Sequence, residues 1–385
     1  MPPKSIRHIA IKRLAVSVAI SAGVGLLLLT AHPLAVAATC MLPTIWLLQR
    51  DRVTAYLCTC SYYATAIGPV ISIVHGFDGS RALGCLIWAG GFTVLSLPWL
   101  VFHSVDPNKT IWCAVMASLA SIVPPLGLIG VACPISAAGL LFPGCKILGL
   151  LAACALPGLL TWKPKPAFLL ASAAILLTNL RYATQAPQSP NWEAVDTVAD
   201  PTPGAFGDYR RIEAMLDRAE SSSAKVIIFP EATIRSWTPT TLAFFDDRIR
   251  WLGEKGKTVL TGAIIPEPNG FRNVVEAFGS TTAVFEQRVP VPLGMWHPLA
   301  KGGVQLHPLG ASGLRVAGQN AAILICYEQL IPWPALTSML HHPSMLIGIA
   351  NGHWVRETPI ATVQSAYARA WSRMLSVPVI LSVAR

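Results

Sequence analysis

The stretch Ile323-Leu324-Ile325-Cys326-Tyr327-Glu328 decides the reading of this chain. It is an unbroken apolar run that delivers a thiol where the run ends. An upstream stretch, Lys225-Val226-Ile227-Ile228-Phe229-Pro230-Glu231, delivers a carboxylate in the same way, with a proline that stops the strand. Apolar runs without strict alternation belong to strands covered on both faces, and the ends of such strands are rigid places from which a loop presents reactive groups. Each motif alone has an ordinary explanation. A glutamate after a strand can be a solvated cap, and Cys326 can be a buried small hydrophobe.

Working outward, further strands are predicted over 258–265, 273–278, 321–325, 345–349 and 377–383, and helices over 208–219, 242–252 and 360–375. Strands alternating with helices imply an α/β layer structure for 185–385. There is no glycine-rich phosphate loop, no Gly-x-Ser-x-Gly elbow and no internal repeat.

The preceding half is different. Up to Pro190 the acidic residues are Asp51, Asp78 and Asp106, and the other sixteen of the nineteen acids follow. The composition, 53% hydrophobic and 12% charged, is too apolar for one ordinary soluble domain. Apolar runs close to the roughly 20 residues that cross a bilayer predict seven crossings in 1–184: 14–29, the stretch continuing through His32-Pro33 to Gln49, 55–75, 82–102, 111–131, 135–160 and 167–180. Inner loops would hold Arg50, Arg52, Lys109, Lys163 and Lys165, and outer loops little beyond Arg81. By the preference of Lys and Arg for the cytoplasmic side, the second half is then expected on the outer face of a bacterial inner membrane, in the periplasm.

The net charge of +10 is spread over the ends of apolar segments and forms no stripe with exposed aromatics, so no nucleic-acid partner is expected. Eight of the nine cysteines lie in the apolar half, which leaves Cys326 without a partner in its own domain. Cys58-Thr59-Cys60 has the wrong spacing for a zinc knuckle. No metal and no cofactor are expected.

Four motifs in order carry a resemblance: Phe229-Pro230-Glu231, Val291-Pro292-Leu293-Gly294, Cys326-Tyr327-Glu328, and Asn351-Gly352-His353-Trp354 ahead of a helix with Gln364, Ala368, Arg369 and Ala370. They resemble the nitrilase (carbon-nitrogen hydrolase) superfamily, and more narrowly apolipoprotein N-acyltransferase. The whole chain, basic and shortened, most resembles the branch of these proteins that serves plasmid conjugal transfer. The resemblance implies a multi-pass α-helical membrane module (1–184) followed by an α/β nitrilase-like αββα sandwich (185–385). It also implies acyl transfer through a thioester, with phospholipid as acyl donor and a protein of the envelope or the conjugation apparatus as acceptor or partner. On the matching positions Glu231 would be the base and Cys326 the nucleophile. The N–H of Tyr327 would help to hold the oxyanion, and Glu328 would support the site.

The family's Tyr-x-Lys-x-His-Leu-Val-Pro-Phe-Gly pattern aligns with Phe285 to Gly294 and puts Gln287 at the lysine position. A neutral amide donates a hydrogen bond but supplies no cation; the adjacent Arg288, and Lys301 in the loop 300–303, are the candidate substitutes, with neither assumed to reach. Met295 stands where the family has a second glutamate, and the family's last strands and final membrane helix are expected to be absent after 377–383. The alternatives are a pseudoenzyme that acts structurally in conjugation, and a membrane-anchored amidase. Arg369 and Arg373 are expected to bind carboxylates or carbonyls within the second domain.

Overall fold

The computed structural model describes residues 4–184, 191–198, 204–297 and 302–385. The chain divides into two compact units. One comprises Met1–Ala186, Leu330–Trp333 and Thr358–Ser376, the other Pro187–Gln329, Pro334–Glu357 and Val377–Arg385.

The first unit is helical. Among the described residues three helical segments are long and apolar enough to cross a membrane, Ile11–Leu28, Arg81–Val101 and Pro164–Thr184, and the pair Arg52–Ala66 and Val70–Gly76, bent by 43°, would make a fourth. This differs from seven full-length helices, and the sequence contains the reason. His32-Pro33 and the turn at Thr39-Cys40 split one apolar stretch into the short helices Pro33–Ala38 and Met41–Leu47. The proline- and glycine-rich stretch 124–146 forms 3-10 turns at Leu126–Leu128 and Pro134–Ala137 and a short helix at Ala138–Leu141. Thr110–Ile122, with 13 residues, is about 20 Å long at 1.5 Å per residue, short of a hydrocarbon core of about 30 Å.

The second unit holds two sheets. Strands β1 (Trp192–Ala194), β2 (Val226–Ile228), β3 (Thr258–Glu267), β4 (Gly270–Gly279) and β5 (Ala283–Glu286) form one in that order. Strands β6 (Gly313–Val316), β7 (Gln319–Ile325), β8 (Met345–Asn351) and β9 (Val379–Ala384) form the other. Pairing is parallel in β1–β2–β3 and β7–β8–β9 and antiparallel in β3–β4–β5 and β6–β7.

The unbroken run 225–229 is explained by burial on both faces. Val226 and Ile228 join a core between the sheets with Leu260, Val275, Ile323, Ile325, Ile347 and Ile349. Ile227 and Phe229 point the other way, into a second core with Ile212, Leu216 and Leu252 of the helices Gly204–Ser221 and Asp246–Glu254. Burying one such side chain contributes about 1.5–3 kcal/mol, so sliding the strand by one residue, which exchanges the two faces, is disfavoured.

The short strands β1, β5 and β6 lie outside the predicted set. The strand between 377 and 383 begins two residues later, at Val379. Helix Ile360–Leu375, expected in the second domain, clusters with the first unit. There Arg373 donates to Asn179 Oδ1 at 2.7 Å and covers the Tyr182 ring. Gly139 is required against the same helix, because a Cβ would lie 1.8 Å from the Ala370 carbonyl oxygen.

Candidate active site

The site forms where β2 and β7 end. Glu231 follows β2, and the next residue, Ala232, turns the chain with φ 55°. Strand β3 approaches that turn closely: a Cβ on Gly262 would lie 2.4 Å from Cα of Glu231 and 2.6 Å from the Pro230 carbonyl oxygen. Glycine at this position lets Gly262 N–H donate to Pro230 at 3.0 Å and Ile234 N–H to Gly262 at 3.1 Å. Cys326, half-buried, ends β7 with φ 50° and begins the 3-10 turn Cys326–Leu330. A left-handed conformation costs a non-glycine residue about 1–2 kcal/mol, and this one is held by its surroundings.

Glu231 is 6% exposed, and both carboxylate oxygens are held. Asn273 Nδ2 donates to Oε1 at 2.7 Å, and the Asn351 N–H, at the end of β8, donates to Oε2 at 2.9 Å. The Cys326 thiol hydrogen-bonds the same carboxylate. Burial pushes the Glu231 carboxyl above its ordinary range, and the hydrogen bonds from Asn273, Cys326 and Asn351 work against that rise. A carboxylate raised toward neutrality and bonded to a thiol is placed to accept its proton.

Gln287 lies in the same network and is fully buried. Its Oε1 accepts from Asn273 Nδ2 at 3.0 Å, and its Nε2 donates to the Ile325 carbonyl, one residue before Cys326, at 3.3 Å. The position where the resemblance expects a lysine is therefore occupied by a neutral group already engaged at both ends.

Arg288 is turned elsewhere. It is buried, with Nη1 on the Pro334 carbonyl, Thr337 and Ser338, Nη2 on the Ile323 carbonyl, and Nε 3.5 Å from Glu328. None of these partners is Cys326 or Glu231, so Arg288 is engaged away from the thiol and its carboxylate. Lys301, the other candidate substitute, lies outside the described residues.

Glu328 is a brace. Oε1 accepts from the N–H groups of Arg288 (2.7 Å) and Val289 (3.0 Å), and Oε2 from that of Ile325 (3.0 Å). It thereby ties the strand end carrying Cys326 to the segment carrying Gln287. Burial raises its pKa, and Arg288 with the three N–H donors opposes that rise. Tyr327 follows Cys326 in the turn, and burial raises its phenol.

Asn273 went unnoticed in the sequence. The available signal was one amide inside the otherwise apolar stretch Asn273-Val274-Val275 of a paired strand, where a buried polar side chain requires a partner.

No family model matches the chain. The conjugal transfer protein TraB of Agrobacterium fabrum is 29% identical over 390 residues, covering 96% of this chain and 92% of that protein. The probable conjugal transfer protein TraB of Sinorhizobium fredii is 30% identical over 357 residues, covering 88% and 90%. The chain belongs to the TraB family of conjugal transfer proteins. Solved structures similar to this TraB-family chain are carbon-nitrogen hydrolases. One from Helicobacter pylori has a TM-score of 0.38 at 13% identity, covering 50% of this chain and 72% of that one. An amidase from Nesterenkonia, whose active-site cysteine carries acrylamide in that crystal, has a TM-score of 0.28 at 14% identity, covering 41% and 65%.

Proposed function

We propose that this TraB-family chain is a membrane-bound, nitrilase-like acyltransferase of plasmid conjugal transfer, with Cys326 as nucleophile and Glu231 as general base. The observation that carries the reading is the hydrogen bond between the Cys326 thiol and a buried Glu231 whose two oxygens are fixed by Asn273 and Asn351. In the first half-reaction Glu231 takes the thiol proton, and the thiolate attacks an ester carbonyl of a phospholipid. A C–S bond forms, the C–O bond breaks, and the alcohol leaves with the proton from Glu231. In the second, an amine of an envelope or conjugation-apparatus protein attacks the thioester; the C–S bond breaks, and its proton passes through Glu231 to the sulfur. The Tyr327 N–H would help to hold the oxyanion of both steps, with Glu328 and Gln287 bracing the turn.

Membrane residence is supported by the three long apolar helices. Placement in the inner membrane, with the second unit on the periplasmic side, is supported by three crossings that leave Lys109, Lys146 and Lys163 on the same side as the basic N-terminal segment. A reporter fused after Arg385 is expected to be active only outside the cytoplasm.

A second reading, a pseudoenzyme supporting the transfer apparatus, is favoured by Gln287. Losing one donor or charge at an oxyanion typically costs on the order of 100-fold to 1000-fold in rate. Intact mass spectrometry of the detergent-purified protein with phospholipid, beside Cys326→Ala, tests both. A fatty-acyl increment that requires Cys326 is the expected result. A folded protein with no increment selects the pseudoenzyme.

A further inference from the structure

Gln329 lies in the same 3-10 turn as Cys326 and has no role in the proton transfers proposed above. It is 2% exposed. Its Nε2 donates to the Ile349 carbonyl at 3.0 Å and to that of Leu324 at 3.4 Å. Both carbonyls stand at the end of the β7–β8 ladder, whose last paired residues are Ile325 and Ile349. The amide therefore bridges the two strands at the point where β7 stops and Cys326 turns the chain with φ 50°.

Strand β8 runs two residues further. Its pairing to β9 continues through Ala350 and Asn351, opposite Val383 and Ala384, whereas its pairing to β7 ends at Ile349. The Leu346 N–H points toward β9, donating to the Pro378 carbonyl at 2.9 Å. Backbone groups of successive residues point to opposite edges of a strand, so those of Ile349 and Asn351 face the edge that β7 has left. On that edge the Ile349 carbonyl meets Gln329, and the Asn351 N–H donates to Glu231 Oε2 at 2.9 Å. Gly348 gives the amide its room, since a Cβ there would lie 3.2 Å from both Cδ and Nε2 of Gln329.

We propose that Gln329 is a positioning residue for the Cys326–Glu231 pair: its amide clips the turn that carries the thiol to the edge of β8 that holds the base. The inference rests on the reading above of Glu231 as base and Cys326 as nucleophile. Gln329 acts through backbone on both sides, three residues along the turn to Cys326 and two along β8 to Asn351. An amide donor buried between two carbonyls has no water to turn to, which makes the clip stiff.

The test is alkylation of Cys326 by iodoacetamide in the detergent-purified full chain, followed across pH by mass spectrometry of the Cys326 peptide. Wild type, Glu231→Gln and Gln329→Met are compared; methionine keeps roughly the length of the side chain and removes the donor. Gln329→Met is expected to slow alkylation about tenfold, since a displacement of about 1 Å can cost about 100-fold. It is also expected to move the inflection that depends on Glu231 to higher pH, because the Asn351 N–H is one of the hydrogen bonds that oppose the burial-driven rise of this carboxyl. Ile212→Val, in the core against the helices, is expected to lower the thermal midpoint and leave rate and inflection unchanged, which separates the clip from a general loss of stability. A folded Gln329→Met with the wild-type rate and inflection would overturn the clip and leave Glu231 as the base. A wild type without an inflection that Glu231→Gln abolishes would refute the base, and the clip with it. If Gln329→Met does not fold, Gln329→Asn, whose amide falls one methylene short of the Ile349 carbonyl, is read in the same two ways.

Discussion

Asn273 Nδ2 stands 2.7 Å from Oε1 of Glu231 and reaches Gln287 Oε1 at 3.0 Å with the same nitrogen. One amide therefore sets the rotamers of both the base and the residue at the lysine position. Asn273→Leu removes the shared donor and leaves Glu231 held by Asn351 and Cys326. The expected outcome is at least a tenfold fall in the rate of Cys326 alkylation by iodoacetamide at neutral pH, with the fold retained. A rate within twofold of wild type would count against Asn273 as a positioning residue.

Glu231 titrates above the ordinary carboxylate range because it is buried. A carboxyl raised on folding favours the protonated folded state. Its contribution is complete below the unfolded pKa and is lost as pH rises through the folded pKa. Thermal midpoints of the wild type should therefore fall, as pH rises above the ordinary carboxylate range, more steeply than those of Glu231→Gln. Over the same interval Cys326 alkylation should be faster in the wild type and show an inflection that the variant, rising only with the ionisation of the thiol itself, lacks. Parallel curves would remove Glu231 as the base.

Gln287→Lys places a cation where the network is now neutral. It should favour the thiolate and stabilise a developing oxyanion, and the expected gain in acyl-adduct formation on Cys326 is up to about 100-fold. Mass spectrometry of the adduct against time measures it. No gain in a folded variant would mean that the missing charge is not what limits the chemistry.

Gly262→Ala puts a Cβ 2.4 Å from Cα of Glu231. Overpacking of this kind typically costs about 1–3 kcal/mol. Here it should also displace the Glu231 turn, lowering both the thermal midpoint and the alkylation rate. A variant that loses stability but keeps the wild-type alkylation rate would separate the turn from the chemistry.

Breaking the buried brace is expected to cost more. Glu328→Ala leaves Arg288 without its counter-charge and three N–H groups without an acceptor, a loss of about 3–5 kcal/mol. Glu328→Gln should lose less, because the amide oxygen still accepts. Equal stability of the two variants, measured by thermal unfolding in detergent, would argue against Glu328 as a brace.

The sequence by itself determined the strands that end in Glu231 and Cys326. Their apolar runs, the stopping proline and the turns that follow are local features, and burial on both faces of 225–229 follows from the absence of alternation. The long helices 11–28 and 164–184 are equally local, being set by length and apolarity. Only the tertiary structure decided what surrounds the thiol. Asn273 lies on β4 and Gln287 directly follows β5, where the Gln287 N–H donates to the Asn273 carbonyl at 2.9 Å, and no periodicity along the chain reveals that register. Arg288 stood in the sequence as a candidate cation beside the motif. Packing turned it toward Glu328 and the Ile323 carbonyl instead. Helix 360–375 has the amphipathic pattern of a domain helix, and pattern specifies that a face is buried without specifying against what. Local propensity and burial are written residue by residue, whereas the partner of a buried face or a buried polar group depends on contacts between segments far apart in the chain.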